Sequence, residues 1–99
     1  MIYRIAICDD SKPDAQYISK MVSEWAKSSA INIRIDLFPS SEAFLFHYEQ
    51  DKEYDILLLD IEMGKKSGID LAKEIRRENT TIQIVFITGY SDYIAQGYD

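Results

Sequence analysis

The segment Glu53-Tyr54-Asp55-Ile56-Leu57-Leu58-Leu59-Asp60-Ile61-Glu62-Met63 constrains the fold of this chain more than any other. Its apolar run reaches a carboxylate at Asp60 and breaks at once into polar, glycine-containing sequence. A short run of this kind, apolar on both faces, reads as a strand buried inside a parallel sheet. Such a strand delivers its terminal acid to the rim of the sheet.

The flanking sequence repeats a strand-then-helix pattern. Residues 2–8, Ile-Tyr-Arg-Ile-Ala-Ile-Cys, form a first strand with an apolar second half, ended by Asp9 and Asp10. Ser11 caps a helix to about residue 28, with Pro13 in its first turn. Ala15, Ile18, Val22 and Trp25 fall on one face, with Met21 beside them. The second strand, residues 31–37, alternates, so that Asn32, Arg34 and Asp36 face a wetter side than the isoleucines, as suits a sheet edge. Pro39 breaks it, Ser40 or Ser41 caps a second helix, and Phe44, Leu45 and Tyr48 supply its apolar stripe. After the third strand, Gly64 and Gly68 bracket a loop containing Lys65, Lys66 and Ser67. Ile69, Leu71, Ala72 and Ile75 then form the inner face of a third helix. A fourth strand runs from Thr81 or Ile82 to Ile87 and stops at Thr88-Gly89, before a short helix through Tyr93, Ile94 and Ala95.

Ninety-nine residues, 46% of them apolar, permit one modest core, so residues 1–99 are expected to form a single domain with no second one. A net charge of -6 argues against direct nucleic-acid binding, which calls for a basic face. No run approaches the roughly 20 apolar residues of a membrane span, and no signal-peptide pattern opens the chain, so the expected compartment is the cytoplasm. The single cysteine, Cys8, excludes an internal disulfide and reads as a small buried side chain. His47 has no second histidine or cysteine with which to build a soft-ligand metal site, and reads as a hydrogen-bonded or partly exposed side chain.

Strands alternating with helices specify parallel strands joined by crossovers. Asp9, Asp10, Asp60 and Thr88 each stand where a strand has just ended, so they converge on the carboxyl-terminal rim, where open α/β sheets bind ligands. If the first and third strands are neighbours, three carboxylates meet in one pocket. A hard divalent cation, magnesium with manganese as a substitute, resolves their repulsion. Met63 is expected to pack the loop, since its thioether suits such an ion poorly.

These residues together resemble a response-regulator receiver domain of bacterial two-component signalling. The resemblance rests on the Ile-Cys-Asp-Asp start, Leu-Leu-Leu-Asp ending at Asp60, Met63, Gly68 and the Ile-Thr-Gly after the fourth strand. The Asp-Ile-Glu-Met and Phe-Ile-Thr-Gly-Tyr wording is similar to receivers attached to LytTR-type DNA-binding domains. The resemblance implies a flavodoxin-like fold, strand order 2-1-3-4. It implies that Asp60 takes a phosphoryl group from a sensor histidine kinase as an acyl phosphate. Asp10 and Asp60 would ligate magnesium directly, Asp9 would help hold it, often through water, and the backbone carbonyl of Glu62 would add an oxygen. Thr88 would donate its hydroxyl to the phosphoryl group, Gly89 would leave space and an accessible amide, and the Glu62 side chain would influence access of hydrolytic water. Kinase docking is implied on the helix beginning near Ser11. Self-phosphorylation from small phosphodonors and slow autodephosphorylation follow, rather than conventional enzymatic turnover.

A complete receiver has a fifth strand and helix, with a lysine after that strand and an aromatic switch residue within it. The chain has neither position, and Lys65 and Lys66 follow strand three instead. The expectation is therefore a C-terminally truncated receiver whose apolar fourth strand is an open edge, able to pair in a homodimer. In the intact protein it would control transcription through a DNA-binding output domain. A phosphorylation-independent interaction module is the alternative. An aspartyl-phosphate phosphohydrolase is disfavoured because Asp60-Ile61-Glu62 lacks a second aspartate, and a nucleotide-binding domain because the first turn has no glycine-rich cradle.

Overall fold

The computed structural model describes residues 1–87 and contains β1 (Ile2–Cys8), α1 (Lys12–Ser28), β2 (Asn32–Phe38), α2 (Ser41–Tyr48), β3 (Ile56–Asp60), α3 (Gly68–Glu78) and β4 (Gln83–Ile87). Thr88, Gly89 and the expected helix through Tyr93–Ala95 lie outside the described residues. All strand pairs are parallel, in the order β2-β1-β3-β4. This is the order expected of a flavodoxin-like sheet, with β1 and β3 side by side at its centre.

Register divides the core into two layers. Ala6, Cys8, Leu57 and Leu59 point to the face covered by α2 and α3, where they meet Phe44, Tyr48, Tyr54, Leu71 and Ile75. Ile5 and Ile7 point the other way, toward Ala15 of α1, with Ile18, Val22, Ile33, Ile35, Ile56 and Leu58 partly buried around them. Period-2 alternation on adjacent strands places each set on its own side without any further device.

Local chemistry sets the helix limits. The Ser11 hydroxyl accepts from the Asp14 N–H at 3.4 Å, Ser40 accepts from Ala43 at 3.0 Å and Ser67 accepts from Asp70 at 3.1 Å, three serine caps with an acid in each first turn. Helix α1 ends with Ala30 at φ 57°, while the Ile31 N–H reaches back to the Ala26 carbonyl at 2.8 Å. This is the left-handed closure usually given to glycine. Strand β4 starts at Gln83, later than the sequence pattern indicates, because the Asn79 side chain accepts from the Thr81 and Ile82 N–H groups at 3.0 Å and holds both in a turn.

Two helix faces differ from expectation. On α1, Trp25 is 55% and Met21 47% exposed, and Ala26 takes the buried position instead. Ala15, Ile18, Val22 and Ala26 follow a tighter stripe, so the larger residues lie on its flank. On α3, Leu71, Ala72 and Ile75 are buried while Ile69 is 42% exposed. Ile69 lines an open depression with Ala72, Arg76, Ile84 and Phe86 beside β4. No described helix is long and apolar enough to cross a membrane.

Helix α2 gives a direct test of this packing. Phe44 is fully buried, with ring centroids 5.2 Å from Phe38 and 5.3 Å from Tyr48, whereas Phe46 is 72% exposed. Phe44→Ala is predicted to cost about 3–5 kcal/mol in urea unfolding, and Phe46→Ala to stay within about 0.5 kcal/mol of the parent. Equal losses for the two would show that α2 is turned differently on the sheet.

Candidate metal and phosphoryl site

Asp9 and Asp10 continue β1 beyond Cys8, and Asp60 is the last residue of β3. Because Cys8 pairs with Leu59 across the parallel ladder, both strands reach the rim at the same level. Asp9, Asp10 and Asp60 each present a carboxylate oxygen, and these atoms lie within 4.8 Å of one another. Asp9 is buried, Asp60 half-buried and Asp10 exposed, so the cluster opens toward solvent on the Asp10 side.

Asp9 is fixed from two directions. Its backbone N–H donates to the Phe38 carbonyl at 3.0 Å, extending the β1–β2 ladder, and its Oδ1 accepts from the Ser11 N–H at 2.9 Å. The sequence reading gave Ser11 only a capping role and missed this second one. The signal was the Asp9-x-Ser11 spacing, in which a carboxylate caps the amide two residues on.

The electrostatics follow from burial and like charge. Burial, then the neighbouring Asp9 and Asp10 charges, push the Asp60 carboxyl up to about 6, against the opposing pull of a backbone hydrogen bond from Glu62. Asp9 is also raised, chiefly by burial, with the Ser11 amide acting in the opposite direction. Carboxylates that resist ionising together, with hard oxygen donors only and no histidine or cysteine among them, fit a divalent cation of the magnesium type. Asp9, Asp10 and Asp60 can hold it.

The segment after β3 is shaped by two glycines. Gly64 has φ 46°, a left-handed turn open to solvent. At Gly68 a Cβ would stand 2.1 Å from the Asp60 carbonyl oxygen, so only glycine lets α3 start this close to the end of β3. The Gly68 N–H donates to the Ile61 carbonyl at 2.9 Å and the Ile61 N–H to Ile87 at 3.0 Å, closing the loop against β4. Met63 is 2% exposed and packs in the core, as its apolar character requires. Glu62 and Lys65 are exposed, while the Lys66 ammonium pairs with Glu74 of α3. Thr88 and Gly89, expected at this rim, lie outside the described residues.

Two other sequence candidates settle into scaffold roles. Cys8 is fully buried, and burial followed by the Asp9 charge pushes its thiol up to about 12, which removes thiolate chemistry. The His47 ring stands 5.3 Å from Phe38 and 6.0 Å from Tyr54, with its Nε2 4.0 Å from an Asp51 carboxylate oxygen.

Removing one carboxylate should relieve the repulsion. In chelator at pH 7, Asp60→Asn is predicted to stabilise the fold by on the order of 1 kcal/mol after allowance for solvent screening, raising the melting temperature by roughly 5 °C. The sign follows from Asp60, which titrates higher in the folded chain than its usual 3.8: its ionised form is disfavoured by folding, so the penalty is full above about 6 and disappears below the unfolded value. The gain should therefore vanish near pH 3.5. Thermal melts of both proteins across this range measure it, and an unchanged or lowered melting temperature at pH 7 would contradict the repulsion.

Comparison with known proteins agrees with this geometry. The family model described as the response regulator receiver domain matches residues 5–98. The transcriptional regulatory protein RprY of Bacteroides fragilis is 31% identical over 85 residues, 86% of this chain and 33% of that protein. The chain thus spans about a third of the length of this curated relative. A receiver domain protein from Clostridium thermocellum superposes with a TM-score of 0.76 at 21% identity, over 94% of this chain and 70% of that one. The response regulator TrrA of Thermotoga maritima, solved in complex with magnesium and BeF, is 30% identical with a TM-score of 0.68, over 96% of this chain and 76% of that one. With its sheet order, its acidic rim and a family match across nearly its whole length, the chain belongs to the response regulator receiver domain family.

Proposed function

We propose that residues 1–99 act as one receiver domain in which Asp60 accepts a phosphoryl group from a sensor histidine kinase. The observation that carries this reading is the convergence of Asp9, Asp10 and Asp60 within 4.8 Å at the ends of two adjacent parallel strands. A carboxylate oxygen of Asp60 attacks the phosphorus, the O–P bond forms and the bond from phosphorus to the donor imidazole nitrogen breaks, leaving its electron pair on the imidazole. The product is an acyl phosphate. Water later attacks the phosphorus, restoring the Asp60 carboxylate and releasing inorganic phosphate.

Asp10 and Asp60 would hold magnesium directly, Asp9 through water, and the Glu62 backbone carbonyl would add a further oxygen. When bound, the ion supplies positive charge that offsets the carboxylates and the transferring phosphoryl oxygens. The Ser11 amide orients Asp9, and buried Met63 sets the path of the backbone past Glu62. Thr88 is assigned the hydroxyl that donates to the phosphoryl group, and Gly89 the space and amide beside it. The Glu62 side chain, exposed next to Asp60, is assigned control of water access. In an intact protein the output would be control of transcription, a reading supported by the name of the RprY relative, through a DNA-binding domain of the LytTR kind, a reading supported by the Asp60–Met63 wording.

Intact-mass analysis after incubation with acetyl phosphate and magnesium tests the chemistry. One added phosphoryl group is expected on the parent protein and none on Asp60→Asn or in excess chelator. A folded parent that never gains this mass would overturn the reading.

A homodimer through β4 is the second part of the proposal. Its support is an outer edge without a strand neighbour among the described residues, with Val85 48% and Phe86 43% exposed. Light scattering should show the mean mass rising toward twice that of the chain as concentration increases. A monomer throughout that range would reject the pairing.

A further inference from the structure

Ser41 is a polar side chain that is completely buried. It is the first residue of α2, yet the capping task there belongs to Ser40, whose hydroxyl accepts from the Ala43 N–H at 3.0 Å. The Ser41 hydroxyl points elsewhere: it donates to the Lys66 carbonyl at 2.9 Å, across 25 residues of sequence. Lys66 lies in the segment between Asp60 and α3, and its ammonium is held by Glu74. One residue of the loop is therefore anchored twice, through its carbonyl to α2 and through its side chain to α3.

The rest of the loop explains why that anchor matters. Its two ends are tied by the Gly68-to-Ile61 and Ile61-to-Ile87 hydrogen bonds, and Met63 is sunk into the core. Gly64 and Lys65, between Met63 and Lys66, are exposed, and Gly64 turns through a left-handed conformation. Ser67 is already tied as the α3 cap, its hydroxyl accepting from the Asp70 N–H and its carbonyl from the Leu71 N–H. Without the Ser41 tie, the turn from Gly64 to Lys66 has only the Lys66–Glu74 pair to hold it among the described residues, and that pair is partly exposed. Glu62, two residues beyond Asp60, stands at the start of the same loop.

We propose that Ser41 is a positioning residue for the phosphoryl and metal site, holding the loop between Ile61 and Ser67 through its hydrogen bond to the Lys66 carbonyl so that the Glu62 backbone stays beside Asp60. This inference rests on the receiver reading given above. The buried hydroxyl acts at a distance, as the outer partners of metal ligands do, and losing such a partner typically weakens metal binding by roughly 10–100-fold. Helix α2 thereby becomes part of the site's frame although none of its side chains reaches the carboxylates.

The test compares the parent with Ser41→Ala, Ser41→Cys, Asp60→Asn and, as a control for loss of another hydroxyl contact from α2, Tyr48→Phe. Magnesium affinity by isothermal titration and hydrogen exchange of the amides from Glu62 to Ser67 are read beside phosphoryl incorporation from acetyl phosphate. Ser41→Ala is expected to bind magnesium roughly tenfold more weakly, with faster exchange in the loop and slower labelling, and Tyr48→Phe to match the parent. Parent-like affinity and loop exchange in folded Ser41→Ala overturn the proposal. Should Ser41→Ala fail to fold, Ser41→Cys decides, because it keeps the volume and weakens the donor: weaker metal binding supports the proposal and parent affinity overturns it. Absence of labelling in the parent counts against the receiver reading alone, since affinity and exchange still judge Ser41.

Discussion

The adjacency of β1 and β3 is the constraint on which everything else depends. Parallel pairing aligns Cys8 with Leu59, and the acids that follow are brought to the same rim, with carboxylate oxygens within 4.8 Å of one another. In solution three carboxylates would spread apart; here the ladder sets their spacing, and burial, followed by the Asp9 and Asp10 charges, raises Asp60 to about 6. The site is thus built by hydrophobic burial elsewhere. Ala6, Ile7, Cys8, Leu57 and Leu59 are fully buried, and their transfer from water holds the two strands in register against the repulsion at their ends.

The two faces of the sheet contribute unequally. Helices α2 and α3 close one side over a continuous aromatic and aliphatic layer, and Ser41 and Gly68 bring both helices against the loop that follows Asp60. On the other side, among the described residues, α1 alone covers the sheet. Ile56 and Leu58 stay half-buried there and Val85 is 48% exposed. The geometry of the site is consequently supported from the α2–α3 side.

What was legible in the sequence follows the same division. The four strands and three helices could be read because they depend on period, caps and strand ends, which are local signals. Sheet order is not local: the order β2-β1-β3-β4, and with it the meeting of Asp9, Asp10 and Asp60, was legible through the receiver resemblance. The exposure of Trp25 and Ile69 was not legible, because periodicity assigns a face but not its width, and the width depends on how much of the sheet each helix covers. Nor was the Ser41–Lys66 contact, since Ser40 and Ser41 are equivalent as caps until the backbone shows which one accepts from Ala43. The start of β4 slipped for a related reason: Asn79 captures two amides that the apolar pattern had given to the strand.

The opposite ends of the same strands are treated in the reverse manner. Arg4 donates to Asp51 at 2.8 Å, pairs with Asp36 at 3.4 Å and lies 4.5 Å above the Tyr54 ring, whose hydroxyl donates to Asp36 at 2.8 Å. Its backbone N–H also donates to Asp55 just before β3. Here unlike charges meet, and Arg4 holds the Asp51 carboxyl below its ordinary value. Acid therefore acts in opposite directions along one pair of strands. As pH falls from 7, protonation first relieves the cluster around Asp60, since its ionised form is the disfavoured one. Only lower, in the ordinary carboxylate range and below, does protonation of Asp51 remove the stabilisation that its link to Arg4 provides. Paired charge thus locks β1 against β2 and the start of β3 at the amino-terminal end, while the carboxyl-terminal end gathers like charge, unpaired among the described residues, that fits a divalent cation.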